Sequence, residues 1–383
     1  GTICTINNSQ TNGVTIGNNG TLIIEKEGSV IVSNNPSVDI SSDSKNIEII
    51  NKGSISGPDR AGIRINGNNN QLTQINNSGE INGGHGITFN GSNNTLDNLT
   101  NSGVIQGTNS GINIQGSNNT IKSIINNGTI TGGSNGISVS NGTIKSINNN
   151  GTIKSINIQS NGTIENIIND KDIGSIRVNQ SSINYLVNNG VLGRISFGES
   201  ATWGSSLLGT IENNGIIQNG IYYNRMNGDK IINTGTILGE NAFKMESHND
   251  NSLKTFENKG VISGSDKGFN IINDKSGSKI GITLLKNHSK GTIYGGNDGI
   301  YLYGMYGYTG SIGTIDNEGS IIGGQNGILI NNKYPPISFI QTIVNKGTIL
   351  GRKNAGIFVQ GKQLVKDYIK LEGSNALIAG GTA

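Results

Sequence analysis

The sequence contains one cysteine in 383 residues, Cys4, so no disulfide can form within the chain, and a thiol so near the end stabilises little. No window approaches 18 consecutive apolar residues, which excludes a membrane-spanning helix. No apolar run of lipobox type precedes Cys4, so no lipid anchor is read. A signal peptide is also missing, and the abrupt start at Gly1 suggests a mature or excised fragment. Charged residues make up 14%, the net charge is +3 and no block of Lys or Arg occurs, a balance too mild for a nucleic-acid binder of this size. Helical periodicity is lacking as well: between Ile49 and Val139 nothing repeats at helical spacing.

What is present is one phrase written four times. Asn51-Lys52-Gly53-Ser54-Ile55 is followed by Gly62-Ile63-Arg64-Ile65, and Asn77-Ser78-Gly79-Glu80-Ile81 by Gly86-Ile87-Thr88-Phe89. Asn101-Ser102-Gly103-Val104-Ile105 and Gly111-Ile112-Asn113-Ile114 come next, then Asn126-Asn127-Gly128-Thr129-Ile130 and Gly136-Ile137-Ser138-Val139. The glycines at 53, 79, 103 and 128 lie 26, 24 and 25 residues apart, a solenoid period. Apolar and polar residues alternate within each unit, which is strand periodicity. Short strands separated by Gly/Asn turns and stacked on copies of themselves predict an all-β fold, a right-handed parallel β-helix of about 25 residues per coil. A single coil cannot offset the entropy of its own ordering, whereas stacking at about 4.8 Å sets Ile on Ile and closes a dry core. The turns are expected to carry Asn ladders, with 60 glycines available to supply positive φ.

Along the chain, residues 1–50 read as N-terminal coils with a cap, with strands around Val14–Ile16, Leu22–Ile24, Val30–Val32, Val38–Ile40 and Ile47–Ile49. Regular coils occupy 51–141. Over 142–200 the repeat shortens to Gly-Thr-Ile-x-x-Ile, at Gly142, Gly151 and Gly162, and the second strand with its leading turn is expected to be lost. From 201 to 383 the full unit returns with longer connections at 272–283, 303–313 and 331–339; insertions of this kind collect on one face of a repeat protein, often the binding face.

Tyr294, Tyr301, Tyr303, Tyr306 and Tyr308 cluster in sequence, with Tyr334 one coil later. If Ile300 and Leu302 point inward, Tyr301 and Tyr303 point outward, where tyrosines stack on sugars or anchor a protein; the alternative is that long loops pack their own aromatics. These six are the candidate binding residues. Asp266 and Asp298 occupy nearly the same turn of adjacent units, as paired acids of sugar-cleaving β-helices do, but Ser110, Asn135, Asn326 and Asn354 hold related positions, and a turn residue tolerant of αL explains all of them. His85, His248 and His288 show no zinc spacing, and neither a Gly-x-Ser-x-Gly elbow nor a Gly-Gly-x-Gly-x-Asp calcium repeat occurs. The expectation is no catalytic residue, no metal and no cofactor.

With Asn-x-Gly-x-Ile and Gly-Ile-x-Ile recurring over 49–139 and 188–360, and closest in Asn101–Gly107 and Asn126–Gly132, the sequence resembles the passenger domain of bacterial autotransporters. That resemblance implies secretion through a C-terminal β-barrel lying outside this chain, which would be its only tie to the membrane, and display at the bacterial outer membrane. It implies an adhesin or virulence factor, not an enzyme, whose partner is a host-cell surface protein or glycan, or a neighbouring passenger; no nucleic acid is expected. A self-associating or toxin-like passenger and a β-helical polysaccharide-degrading enzyme are the alternatives. The register still running at Asn375–Ile378 suggests that the solenoid continues in a parent protein.

Overall fold

A computed structural model describes residues 1–199, 206–246, 251–273, 279–304, 309–332, 338–361 and 365–381. Among these residues every regular element is a strand, and the strands pair in parallel with those one coil away, the arrangement of a parallel β-helix. The chain forms two compact units, Gly1–Asn184 and Tyr185–Ala383.

In the first unit, one coil shows the plan. Gln71–Asn77 forms a first face, Glu80–Gly83 a second, and the strand bends between Gly83 and His85 before Ile87–Phe89 forms a third. On the next coil Leu96 lies beside Leu72 and Leu99 beside Ile75. Ile105 pairs with Ile81, Ile112 with Ile87 and Ile114 with Phe89. The period-two alternation sends all of these inward, where they are buried, each contributing roughly 1.5–3 kcal/mol. Pairing begins at Thr2, opposite Gly20, so the coils extend to the start of the described chain.

The expected loss of a strand after residue 142 is corrected. Ile156–Gln159 lies in register on Ile137–Ser140, and Ile176–Val178 on Ile156–Ile158. What shortens is the lead-in: the six residues Thr131–Gly136 are replaced by the two residues Lys154-Ser155, so that the chain turns straight from the second face to the third.

Asn ladders run through the turn after the first face. In the first unit, the side-chain nitrogens of Asn51, Asn77, Asn101, Asn126 and Asn149 each donate to the side-chain oxygen of the next, ending on Asn169, at 2.8 Å throughout. In the second unit the series runs from Asn188 through 213, 233, 258, 287 and 317 to Asn345. The glycines two residues on do not supply positive φ. In those turns, glycine is needed for close approach: a Cβ on Gly79 would run into the Gly53 carbonyl, and one on Gly103 into that of Gly79. Positive φ falls mostly to asparagine at the turn between the third and first faces, as at Asn69, Asn93 and Asn118.

The second unit has a different core. Phe197, Tyr223, Phe243, Phe256 and Phe269 form a continuous buried aromatic cluster with ring centroids 4.8–5.8 Å apart, mostly tilted or edge-on. The longer connections at 272–283, 303–313 and 331–339 fall partly outside the described residues; the strands Val261–Asn273 and Lys279–Asn287 run into the first, and Asp298–Gly304 and Thr309–Asn317 into the second.

Candidate functional site

The third face carries one outward side chain per coil at the x of Gly-Ile-x-Ile, and these form a column. In the first unit it reads Asp39, Arg64, Thr88, Asn113, Ser138, Asn157 and Arg177, in register from strand to strand. Its members bond one another: Arg64 donates to both Asp39 oxygens at 2.8 and 2.9 Å, and Asn113 to the Thr88 hydroxyl at 3.2 Å. Although they point out of the core, Thr88, Asn113 and Ser138 are only 3%, 8% and 7% exposed, so this face is recessed.

In the second unit the same column reads Ser196, Tyr222, Lys244, Asn270, Tyr301, Leu329 and Phe358. Its last three residues are apolar or aromatic neighbours across adjacent strands, and Phe358 is exposed. The expected orientation holds: Ile300 and Leu302 are fully buried while Tyr301 and Tyr303 face out, their rings stacked at 6.2 Å and 11°. Asn331 donates to the Tyr301 hydroxyl at 3.2 Å, and the Lys267 ammonium lies 4.8 Å from the ring centroid. Burial pushes the Tyr301 phenol above its ordinary pKa, so it stays protonated. The surface here is aromatic, neutral and half-buried, with a cation beside it.

Of the six tyrosines singled out in sequence, Tyr301 and Tyr303 come together. Tyr294 does not join them, because it projects from the second face, in register with Ser263 and Ile322, with the Arg352 guanidinium 5.6 Å from its ring centroid. Tyr306, Tyr308 and Tyr334 lie outside the described residues. Leu329 and Phe358 escaped the sequence reading, which searched for tyrosines in long connections; the signal was the x of each Gly-Ile-x-Ile, read down the repeats.

The carboxylates behave as turn residues. Asp266 accepts from Lys267 at 2.7 Å and from Asn297 at 2.8 Å; burial works against its charge, but those bonds outweigh it and hold the pKa below the ordinary value. Asp298, 5% exposed, accepts from Asn326 at 2.9 Å, and burial raises its pKa. His85 sits at a bend beside Ala61 and Ser110, its Nδ1 buried without a partner and its pKa lowered by burial. His288 bonds Glu257 at 3.1 Å on the first face. Among the described residues no three His, Cys, Asp or Glu side chains are placed to hold a metal, and no helix is long and apolar enough to cross a membrane, which says nothing of β-barrels.

A scan against protein-family models and searches of curated proteins and of solved structures return no match to this chain.

Proposed function

We propose that this protein is a secreted, surface-displayed passenger of autotransporter type that acts as an adhesin, with the third face of the second unit as its contact surface for a host-cell glycan or protein. The observation that carries the reading is the outward stripe Tyr301–Leu329–Phe358 with Tyr303 beside it. The apolar side chains at the first two of these positions have no role in closing the coil, since the core columns beside them are already filled by Ile300, Ile328, Leu302 and Ile330. Each strand adds about 4.8 Å, so the three residues span roughly 10 Å of near-flat surface, and aromatic anchors of this kind dominate contact energies in interfaces. Burial of Asp298 and the turn bonds of Asp266 favour binding over polysaccharide cleavage.

The test is binding of the purified 383-residue chain to epithelial cells, beside a variant carrying Tyr301→Ser, Leu329→Ser and Phe358→Ser. Saturable binding lost in the variant, with its thermal melt kept, is the expected result. Binding retained in full would move the contact surface elsewhere, and concentration-dependent clumping without cell binding would favour self-association.

A further inference from the structure

Upstream of the stripe on the same face, Tyr222 floors a groove of about 520 Å³ bordered by Arg194, Asn219, Glu240, Asn241 and Lys244. We propose that this groove is a binding site for a neutral saccharide, distinct from the Tyr301 stripe. Some of its polar groups are already occupied. The Tyr222 hydroxyl donates to Glu246 at 3.0 Å, and burial raises its pKa, so the phenol stays neutral. Both cations are engaged, Arg194 with Glu199 at 2.8 Å and Lys244 with Glu246 at 3.1 Å, and their charged groups lie 5.7 and 5.8 Å from the Tyr222 ring centroid. The floor is therefore held in place by its own ion pairs.

The rim is not. Asn219 and Glu240 stand exposed on successive corners between the second and third faces, with no side-chain partner among the described residues. Asn241 uses its side-chain oxygen to accept from Asn270 at 2.9 Å, which leaves its NH2 group for a ligand. Two amides and one carboxylate thus converge on the groove as unused donors and acceptors. Counting Arg194, Lys244, Glu199, Glu246 and Glu240, two positive against three negative, the local charge is −1. An anionic ligand would meet Glu240 and find the cations already paired. An apolar one would strip water from the amides without replacing its hydrogen bonds. A ligand dense in hydroxyls satisfies both: its hydroxyls donate to Glu240 and accept from Asn219 and Asn241.

The experiment is calorimetric titration of the full chain with cellotetraose, maltotetraose, chitotetraose and tetragalacturonate, repeated on Glu240→Gln, on Asn219→Ala and on Tyr301→Ser, with a thermal melt of each. At least one of the three neutral tetrasaccharides is expected to bind, and tetragalacturonate is not. Glu240→Gln should weaken binding about tenfold, the loss of one charge-assisted hydrogen bond, while Tyr301→Ser should change it less than about twofold if the two sites are separate. Glu240 is exposed and supports no packing, so its replacement should leave the melt unchanged. Failure of all three neutral sugars to bind, a preference for tetragalacturonate, or binding that falls with Tyr301→Ser and not with Glu240→Gln would each overturn the proposal. The cell-binding result with the stripe variant does not depend on this outcome.

Discussion

Replacing Asn126 by Ala probes the feature that most sharply separates this fold from a merely apolar stack. Asn126 is fully buried. Its side-chain nitrogen donates to Asn149 at 2.8 Å, to the Gly128 carbonyl at 3.2 Å and to the Thr152 carbonyl at 3.1 Å, and its oxygen accepts from Asn101 at 2.8 Å. Truncation leaves the Asn149 oxygen without its donor in a dry interior, whereas the Asn101 nitrogen keeps the Gly103 and Thr129 carbonyls. The two ladder hydrogen bonds at about 1 kcal/mol each, and one orphaned acceptor at about 1–3 kcal/mol, give a loss of about 3–5 kcal/mol as a floor, since the bonds to the Gly128 and Thr152 carbonyls are lost too. Asn51 is the internal control. The residue one coil before it in the same column is Ile24, which has nothing to donate, and so the Asn51 oxygen already lacks a partner. Asn51→Ala therefore removes one unsatisfied acceptor while creating another at Asn77, and should cost distinctly less.

The assay is guanidinium unfolding of both variants by far-UV circular dichroism, with amide exchange to locate the loss. In a solenoid each coil touches only its neighbours, so exchange should accelerate first in the coils around residue 126 and not uniformly. A loss below about 1 kcal/mol for Asn126→Ala, or one no larger than for Asn51→Ala, would refute the view that the ladder is a cohesive element. It would then be a consequence of stacking and not a cause.

The remaining predictions concern burial and charge. His85 has a pKa lowered from 6.5 by burial, so the unfolded chain binds its proton more readily, and stability should fall as pH drops through about 6.5; His85→Ser, matching Ser110 one coil on, should flatten that dependence in thermal melts between pH 7 and 5, and equal slopes would refute it. Asp298 shows the opposite sign. Its folded pKa is raised above 3.8 by burial, so its stabilising contribution is complete below that value and lost as pH rises through the folded pKa; Asp298→Asn should melt higher than the parent at pH 7 and alike at pH 3. Gly228→Ala should cost upward of about 1–3 kcal/mol by overpacking, because the new methyl would strike the Tyr223 hydroxyl, and Tyr223→Phe should recover much of it despite losing the 2.6 Å bond to the Ser252 carbonyl; a double variant no better than Gly228→Ala would sink this account.

Architecture was legible in the sequence because the same constraint is restated in every coil. An inward Ile must match the Ile above and below it, so Ile81, Ile105 and Ile130 announce their column by recurrence alone. The ladder was legible for the same reason. Less visible was the reason for glycine at positions 53, 79 and 103: sequence cannot distinguish a residue chosen for φ from one chosen because the chain a coil away passes too close, and here the second holds. The strand at Ile156–Gln159 was hidden because its marker, a leading Gly, vanished with the turn that needed it. Tyr294 was grouped with Tyr301 on proximity in sequence; although only seven positions apart, the corner between them sets the two on different faces.

The same logic bears on where function can reside. An inward position is tied to two neighbours, and a turn position to the carbonyls stacked beside it, so neither can change without a compensating change a full coil away. The outward x of Gly-Ile-x-Ile has no such tie. In the first unit that freedom is used for side chains that bond one another, Arg64 to Asp39 and Asn113 to Thr88, which leaves little for a ligand. In the second it is used for Tyr301, Leu329 and Phe358, the first two of which the coil does not require, and for Tyr222, whose groove is rimmed by side chains with bonding capacity to spare. Substituting the outward Leu329 and Phe358 should therefore change the proposed binding while leaving unfolding little altered, the reverse of the ladder, whereas the buried, mutually bonded members of the column in the first unit should behave as the ladder does.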